Sequence, residues 1–183
     1  MNQHKFSRSF YIICAVGLLS LIITERITPH KAYASFFAEK AQRAIERQQF
    51  KKAKQQYRLA FKADPERPNL YCQFGEFLVD QGSYGEAIPY LQMATYLGNY
   101  KNQISFYLLG MCYYRLGFYK RAQASFESGV TMTPGYAKCR YYLILSLLKL
   151  DKKETIPYHL KKLQEVDPDL ARSLELMLGN VKQ

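Results

Sequence analysis

Cysteine, histidine and paired carboxylates are the side chains from which catalytic and metal sites are usually assembled, and here they are few and scattered. The four cysteines are Cys14, Cys72, Cys112 and Cys139. No two are spaced as a metal knuckle or a Cys-x-x-Cys redox pair. Cys14 lies in an apolar run, and the other three are expected to pack in helices as small apolar groups. A Cys72–Cys112 or Cys112–Cys139 bridge is the alternative in an oxidising compartment. The three histidines, His4, His30 and His159, have no ligand-like spacing, so neither a metal nor a cofactor is expected. Asp167 and Asp169 flank Pro168, where helix capping and the helix dipole account for them. There is no glycine-rich phosphate loop, no His-Glu-x-x-His and no Gly-x-Ser-x-Gly. Catalysis needs an acid, base or nucleophile that converge. The expectation is a protein that is not an enzyme.

What does recur is a spacing of large and small apolar residues. Phe106-x2-Leu109-Gly110-x2-Tyr113 is followed by Ala122-x3-Phe126 and Pro134. Upstream, Tyr71-x2-Phe74-Gly75-x2-Leu78 is followed by Ala87-x3-Leu91 and Ala94, with Asn99 in the place of the proline. Ala53-x3-Tyr57, Ala60 and Pro65 form an earlier copy whose first half is polar, with Phe37 as its large residue, Lys40 in the leucine place and Ala41 for glycine. Arg140, Leu143, Ile144, Leu147, Ile156, Leu160 and Pro168 form a degenerate later one. The pattern resembles the tetratricopeptide repeat (TPR), a helix–turn–helix unit of about 34 residues, with Phe106 where that family usually has Trp.

The resemblance implies an all-α solenoid of about four helical hairpins, the first and fourth degenerate. Its repeats would run over residues 34–67, 68–102, 103–136 and 137–170. Small residues at Gly75, Gly110, Ala53, Ala87 and Ala122 let paired helices cross closely, and Tyr57, Leu91, Phe126 and Leu160 fill the space beside the next hairpin. Gly82 and Gly117 mark the turns. Pro89 and Pro157 each remove a backbone donor, so the second and fourth B helices are expected to start late. Over 169–180, Leu170, Leu174, Met177 and Leu178 fall on one helical face and predict a capping helix that covers the open end of the array.

A TPR array binds through a concave groove lined by its first (A) helices. In the resemblance the groove takes the second, fifth, ninth, twelfth and thirteenth places of each repeat. The third repeat puts Ile104, Tyr107, Met111, Tyr114 and Arg115 there, and the fourth Lys138, Tyr141, Leu145, Leu148 and Lys149. Tyr107, Met111, Tyr114, Arg115, Tyr141, Leu145 and Leu148 are the candidate protein-binding residues. They are expected to form one patch on a face that the hairpin core does not need. Such an apolar-aromatic groove with a basic rim suits an amphipathic helix or extended peptide with acidic flanks. TPR domains that clamp the C-terminal carboxylates of heat-shock chaperones use Lys and Asn at the fifth and ninth places of the first repeat, where this chain has Ala38 and Gln42.

The amino-terminal segment, residues 1–33, reads differently. Phe10 to Thr24 is uncharged and strongly apolar, though short of the usual ~20 residues of a span. A retained signal-anchor is the favoured reading. The alternative is a cleaved signal peptide with Ala32-Tyr33-Ala34 as its site. The array would then stand outside the cytoplasm, anchored or released, with a bacterial periplasm the expected setting. The formal charge is +11, and its densest cluster is Lys51, Lys52, Lys54, Arg58 and Lys62. No aromatic stacking interleaves these cations, so a solvated face or anionic headgroups are expected and nucleic acid is not. The functional expectation is a protein-binding scaffold or adaptor at the cell envelope that assists complex assembly. The alternative is a soluble chaperone of secretion substrates.

Overall fold

The computed structural model describes residues 29–98 and 103–180. Among them are nine α-helices, one short 3-10 helix and no strand, so the all-α expectation holds. The apolar run over residues 10–24 lies outside the described residues. The chain divides into two compact units, Met1–Pro65 and Glu66–Gln183.

In the first unit, α1 (Pro29–Glu46) and α2 (Phe50–Ala63) form a hairpin. Its seam is built from alanine: Ala34, Ala41 and Ala44 of α1 and Ala53 and Ala60 of α2 are buried, with Tyr57 the one large buried side chain among the unit's described residues. Side chains this small let helix axes approach closely. Lys40 departs from the repeat pattern because it faces outward, its ammonium 4.3 Å from the centre of the Phe36 ring. Helix α1 begins at Pro29, ahead of the repeat boundary expected at residue 34, and Ala34 of the candidate cleavage motif is wholly buried in the hairpin.

The second unit runs α3 (Pro68–Asp80), α4 (Tyr84–Leu97), α5 (Gln103–Arg115), α6 (Tyr119–Met132), α7 (Ala137–Lys149), the 3-10 turn Lys153–Thr155, α8 (Ile156–Val166) and α9 (Pro168–Asn180). Each helix packs on its sequence neighbour, and α3, α5 and α7 also touch in succession. That is the pairing a stack of hairpins requires. The glycines do what their spacing predicts. A Cβ on Gly75 would come within 2.5 Å of the Leu91 side chain, and one on Gly110 within 2.5 Å of Phe126. Between hairpins, Gln92 Nε2 donates to the Tyr113 hydroxyl at 3.0 Å and ties α4 to α5.

Two expectations about prolines part company. Helix α8 does begin late: a 3-10 turn precedes it and Pro157 sits in its first turn, where a missing N–H costs nothing. Helix α4 does not, since it starts at Tyr84 and runs through Pro89. Its first turn is already closed ahead of the proline by the Ala87 N–H donating to Ser83 O at 3.0 Å, with Ala87 fully buried. In the fourth hairpin the large buried residue is Leu163 rather than Leu160, which is half-buried. The late start of α8 leaves Leu160 only one turn into the helix.

Helix α9 packs on α7 and α8 as the cap predicts. The Asp167 carboxylate caps it, accepting from the Leu170 N–H at 2.9 Å. Ala171 and Leu174 are buried and Leu170 and Leu178 half-buried, whereas Met177 is exposed and belongs to the outer face.

Candidate functional site

Helix α5 buries Phe106, Leu109, Gly110 and Tyr113 against its own hairpin. At 3.6 residues per turn this leaves Tyr107, Met111 and Tyr114 on an adjacent stripe. All three are half-buried, as are Tyr141, Leu145 and Leu148 on α7, while Arg115 is exposed. Ile104, Lys138 and Lys149 are also exposed.

The rings are not idle. Tyr107 packs with its ring centre 6.4 Å from Phe126, 5.5 Å from Tyr136 and 5.9 Å from Tyr142. Tyr114 lies 5.4 Å from Tyr119 and 5.9 Å from Tyr142. Tyr142 also stacks on Phe126 at 5.8 Å and meets Tyr141 edge-on at 5.3 Å. Tyr107 and Tyr114 therefore join helix packing and surface, which corrects the expectation of a face the core does not need. Tyr142 is the hub of the cluster. The groove pattern passes over it because it occupies the sixth place of its repeat, between a groove place and a core place.

Burial and the neighbouring Tyr142 and Tyr136 hydroxyls push the Tyr107 phenol up to about 12. Burial, followed by neighbouring hydroxyls, likewise raises Tyr114. Tyr136 is raised by burial, then by Cys139 and Glu76. Near neutral pH these rings stay uncharged, each with an apolar body and a hydroxyl at its tip. Such side chains suit a peptide that presents both apolar side chains and backbone polar groups.

The rim is not simply basic. Glu76 of α3 stands near enough to Tyr136 to affect its titration, and its own carboxyl is held above the usual carboxylate range by burial and then by Asp80. Helix α3 thus contributes the acidic Glu76 and Asp80, and the neighbouring α5 the basic Arg115.

Cys72, Cys112 and Cys139 are buried thiols. Burial pushes Cys112 and Cys139 up to about 12, and Cys139 Sγ contacts Phe126 O at 3.3 Å. These are packing residues rather than nucleophiles. Among the described residues no three of His, Cys, Asp and Glu lie together as metal ligands. Lys51, Lys52, Arg58 and Lys62 on α2 are exposed.

Residues 103–136 match the family model described as tetratricopeptide repeat. The chain is similar to the solved structure of YrrB, described as a TPR protein with an unusual peptide-binding site, at 25% identity over 90% of each chain and a TM-score of 0.68. It is also similar to MamA, at 18% identity over 74% of each chain and a TM-score of 0.70. A third likeness is to the C-terminal part of a TPR repeat-containing protein from Cytophaga hutchinsonii. There the identity is 24% over 78% of this chain and 56% of that one, with a TM-score of 0.64. A comparison with curated proteins gives no match. The fold is all-α and of the TPR type.

Proposed function

We propose that this chain is a non-catalytic scaffold or adaptor at the cell envelope, which holds a helical or extended segment of another protein on the α5–α7 face and assists assembly of a complex. The observation that carries this reading is the half-buried aromatic patch of Tyr107, Met111, Tyr114, Tyr141 and Leu145 on adjacent A helices. The peptide-binding description of YrrB supports it. With acidic Glu76 and Asp80 on α3 and basic Arg115 on the neighbouring α5, the preferred segment is apolar at its centre and carries both charges.

Membrane attachment through residues 10–24 is part of the proposal. Among the described residues no helix is long and apolar enough to cross a membrane. Retention of the segment is favoured over cleavage after Ala34, because Ala34 is a fully buried part of the first hairpin's seam. Carbonate and salt washes of native membranes separate the readings. Resistance to both fits the anchored scaffold, whereas recovery in the soluble cytosol fits a chaperone of secretion substrates.

Met111 and Leu145 test the groove most cleanly, since neither belongs to the ring cluster. A photoreactive residue at Met111 or Leu145 is expected to crosslink one protein in the native cell, and one at exposed Lys120 is not. Met111→Glu with Leu145→Glu is expected to weaken capture ~10-fold or more, because a charge buried against an apolar partner lacks a counter-ion. Equal crosslinking from Lys120, or unchanged capture by the double variant, would place the partner elsewhere.

A further inference from the structure

Arg140 occupies the place in the fourth hairpin that Phe106 fills in the third, and it is buried, only 4% exposed. Packing at that place needs bulk, not charge, and a buried guanidinium ordinarily has a carboxylate beside it. Arg140 has none: among the described residues no Asp or Glu oxygen comes within ion-pair distance of it. Its Nη2 donates to Pro134 O at 2.9 Å, and its Nη1 lies 3.4 Å from His159 Nδ1. Its Nε is buried with no acceptor among the described residues. Of the five N–H groups on a guanidinium, two are thus accounted for.

This side chain lines a pocket of about 360 Å³ shared with Glu127, Thr131, Pro134, Tyr158 and His159. The pocket lies among α6, the α6–α7 link, α7 and α8. It shares no residue with the tyrosine patch. Burial and the Arg140 charge hold His159 below its ordinary pKa, with Glu127 acting the other way. The ring is therefore neutral at pH 7 and adds no second cation. Glu127 stands at the pocket with Oε1 accepting from Gln123 Nε2 at 2.7 Å.

From these placements we infer that the Arg140 pocket is a second binding site, separate from the groove, and that it takes a carboxylate. A carboxylate accepts from guanidinium N–H groups that the two protein acceptors leave free, in the fork geometry that arginine offers. A dianionic phosphate fits less well, because the pocket presents a single cation and already contains the Glu127 carboxylate. The carboxylate belongs either to an acidic residue of a bound protein or to a small free acid. Its arrival also screens His159 from Arg140, so the ring's pKa rises when the site is filled.

The test uses the full chain labelled with nitrogen-15, following the Arg140 Nε–H and His159 ring signals by NMR. Acetate replaces chloride at constant ionic strength. In parallel an N-acetylated, C-amidated dipeptide ending in Asp is compared with its Asn counterpart. A saturable shift of both signals with acetate and the Asp peptide, absent with the Asn peptide, is the expected result. Affinity for the Asp peptide ~10-fold above acetate assigns the site to a protein-borne carboxylate. Equal affinities assign it to a small acid. Arg140→Lys keeps the stem and charge but loses the fork, and binding read from His159 should fall ~10-fold or more. Arg140→Leu, which removes the buried charge, should fold and show no response. The inference is overturned if the wild-type chain shows no saturable shift, or if the shift survives in both variants.

Discussion

Tyr107 is a proposed groove residue that also takes part in the packing, and its contacts decide what a substitution there reads out. It touches Phe126, Tyr136 and Tyr142, whereas among the described residues Tyr141 has one ring neighbour, Tyr142. Tyr107→Ala is therefore expected to cost ~2 kcal/mol of stability, since a large half-buried ring loses several partners. Tyr141→Ala should stay within ~1 kcal/mol. Urea denaturation of the two variants checks this, and equal losses would mean that the ring cluster does not hold the two hairpins together. Spacing alone had marked both tyrosines as surface, because an i, i+4, i+7 stripe beside the core stripe does not reveal whether the next helix reaches it. Tyr142 was hidden for the same reason. Its importance comes from four rings that converge on it, two from α5, one from α6 and one from the α7 residue beside it, and nothing local in the sequence records that convergence.

Among the elements, the hairpin turns share one device. Gln48, Gly82, Gly117 and Asp151 all have positive φ, at 57°, 71°, 81° and 56°. In each turn that residue's N–H bonds back three residues and the next N–H bonds back five, as in Gln48 to Ile45 and Gln49 to Ala44, both at 2.8 Å. This is the Schellman ending of a helix, for which glycine is the unstrained choice. The two glycines were legible in the sequence, while Gln48 and Asp151 were not, since neither residue type announces a left-handed turn. Their placement shows that the turn is imposed by helix pairing and not by glycine alone. The reciprocal exchange measures the strain. Gln48→Gly should stabilise the first hairpin by about 0.5–1 kcal/mol, the relief of a left-handed side chain less the added freedom of the unfolded chain. Gly117→Gln should destabilise by ~1 kcal/mol, through backbone strain alone, since nothing lies within 4 Å of a Cβ built there. Thermal melts of the two variants should move in opposite directions, and movement in the same direction would show that φ is not the controlling variable. Pro89 teaches the converse lesson. A residue that usually ends a helix is overruled where the turn before it is already closed and buried.

For the molecule as a whole, hairpins, turns and cap could be read because each repeat restates the same spacing, so an error in one copy is corrected by the next. The approach of Glu76 to Tyr136 and the lone guanidinium in the fourth hairpin could not, because each depends on which side chains meet across helices. Stability in a stacked array comes from contacts between neighbours, and its ends are the weak points. Within residues 66–183 the large buried side chains, among them Leu70, Phe74, Leu78, Leu91, Phe126, Leu143, Ile144 and Leu163, are supplied by the unit itself. That unit is expected to fold alone with a cooperative melt. Truncation after Val166 removes Ala171 and Leu174, both buried, together with the contacts that α9 makes with α7 and α8. Loss of one fully buried leucine contributes about 1.5–3 kcal/mol, and the newly wetted neighbours add to it. The truncated chain should therefore melt several degrees lower. Hydrogen exchange should show the loss first in α8 and α7, with α3 and α4 last affected. If protection falls uniformly instead, the hairpins unfold as one block and α9 is part of the core rather than a lid on its end.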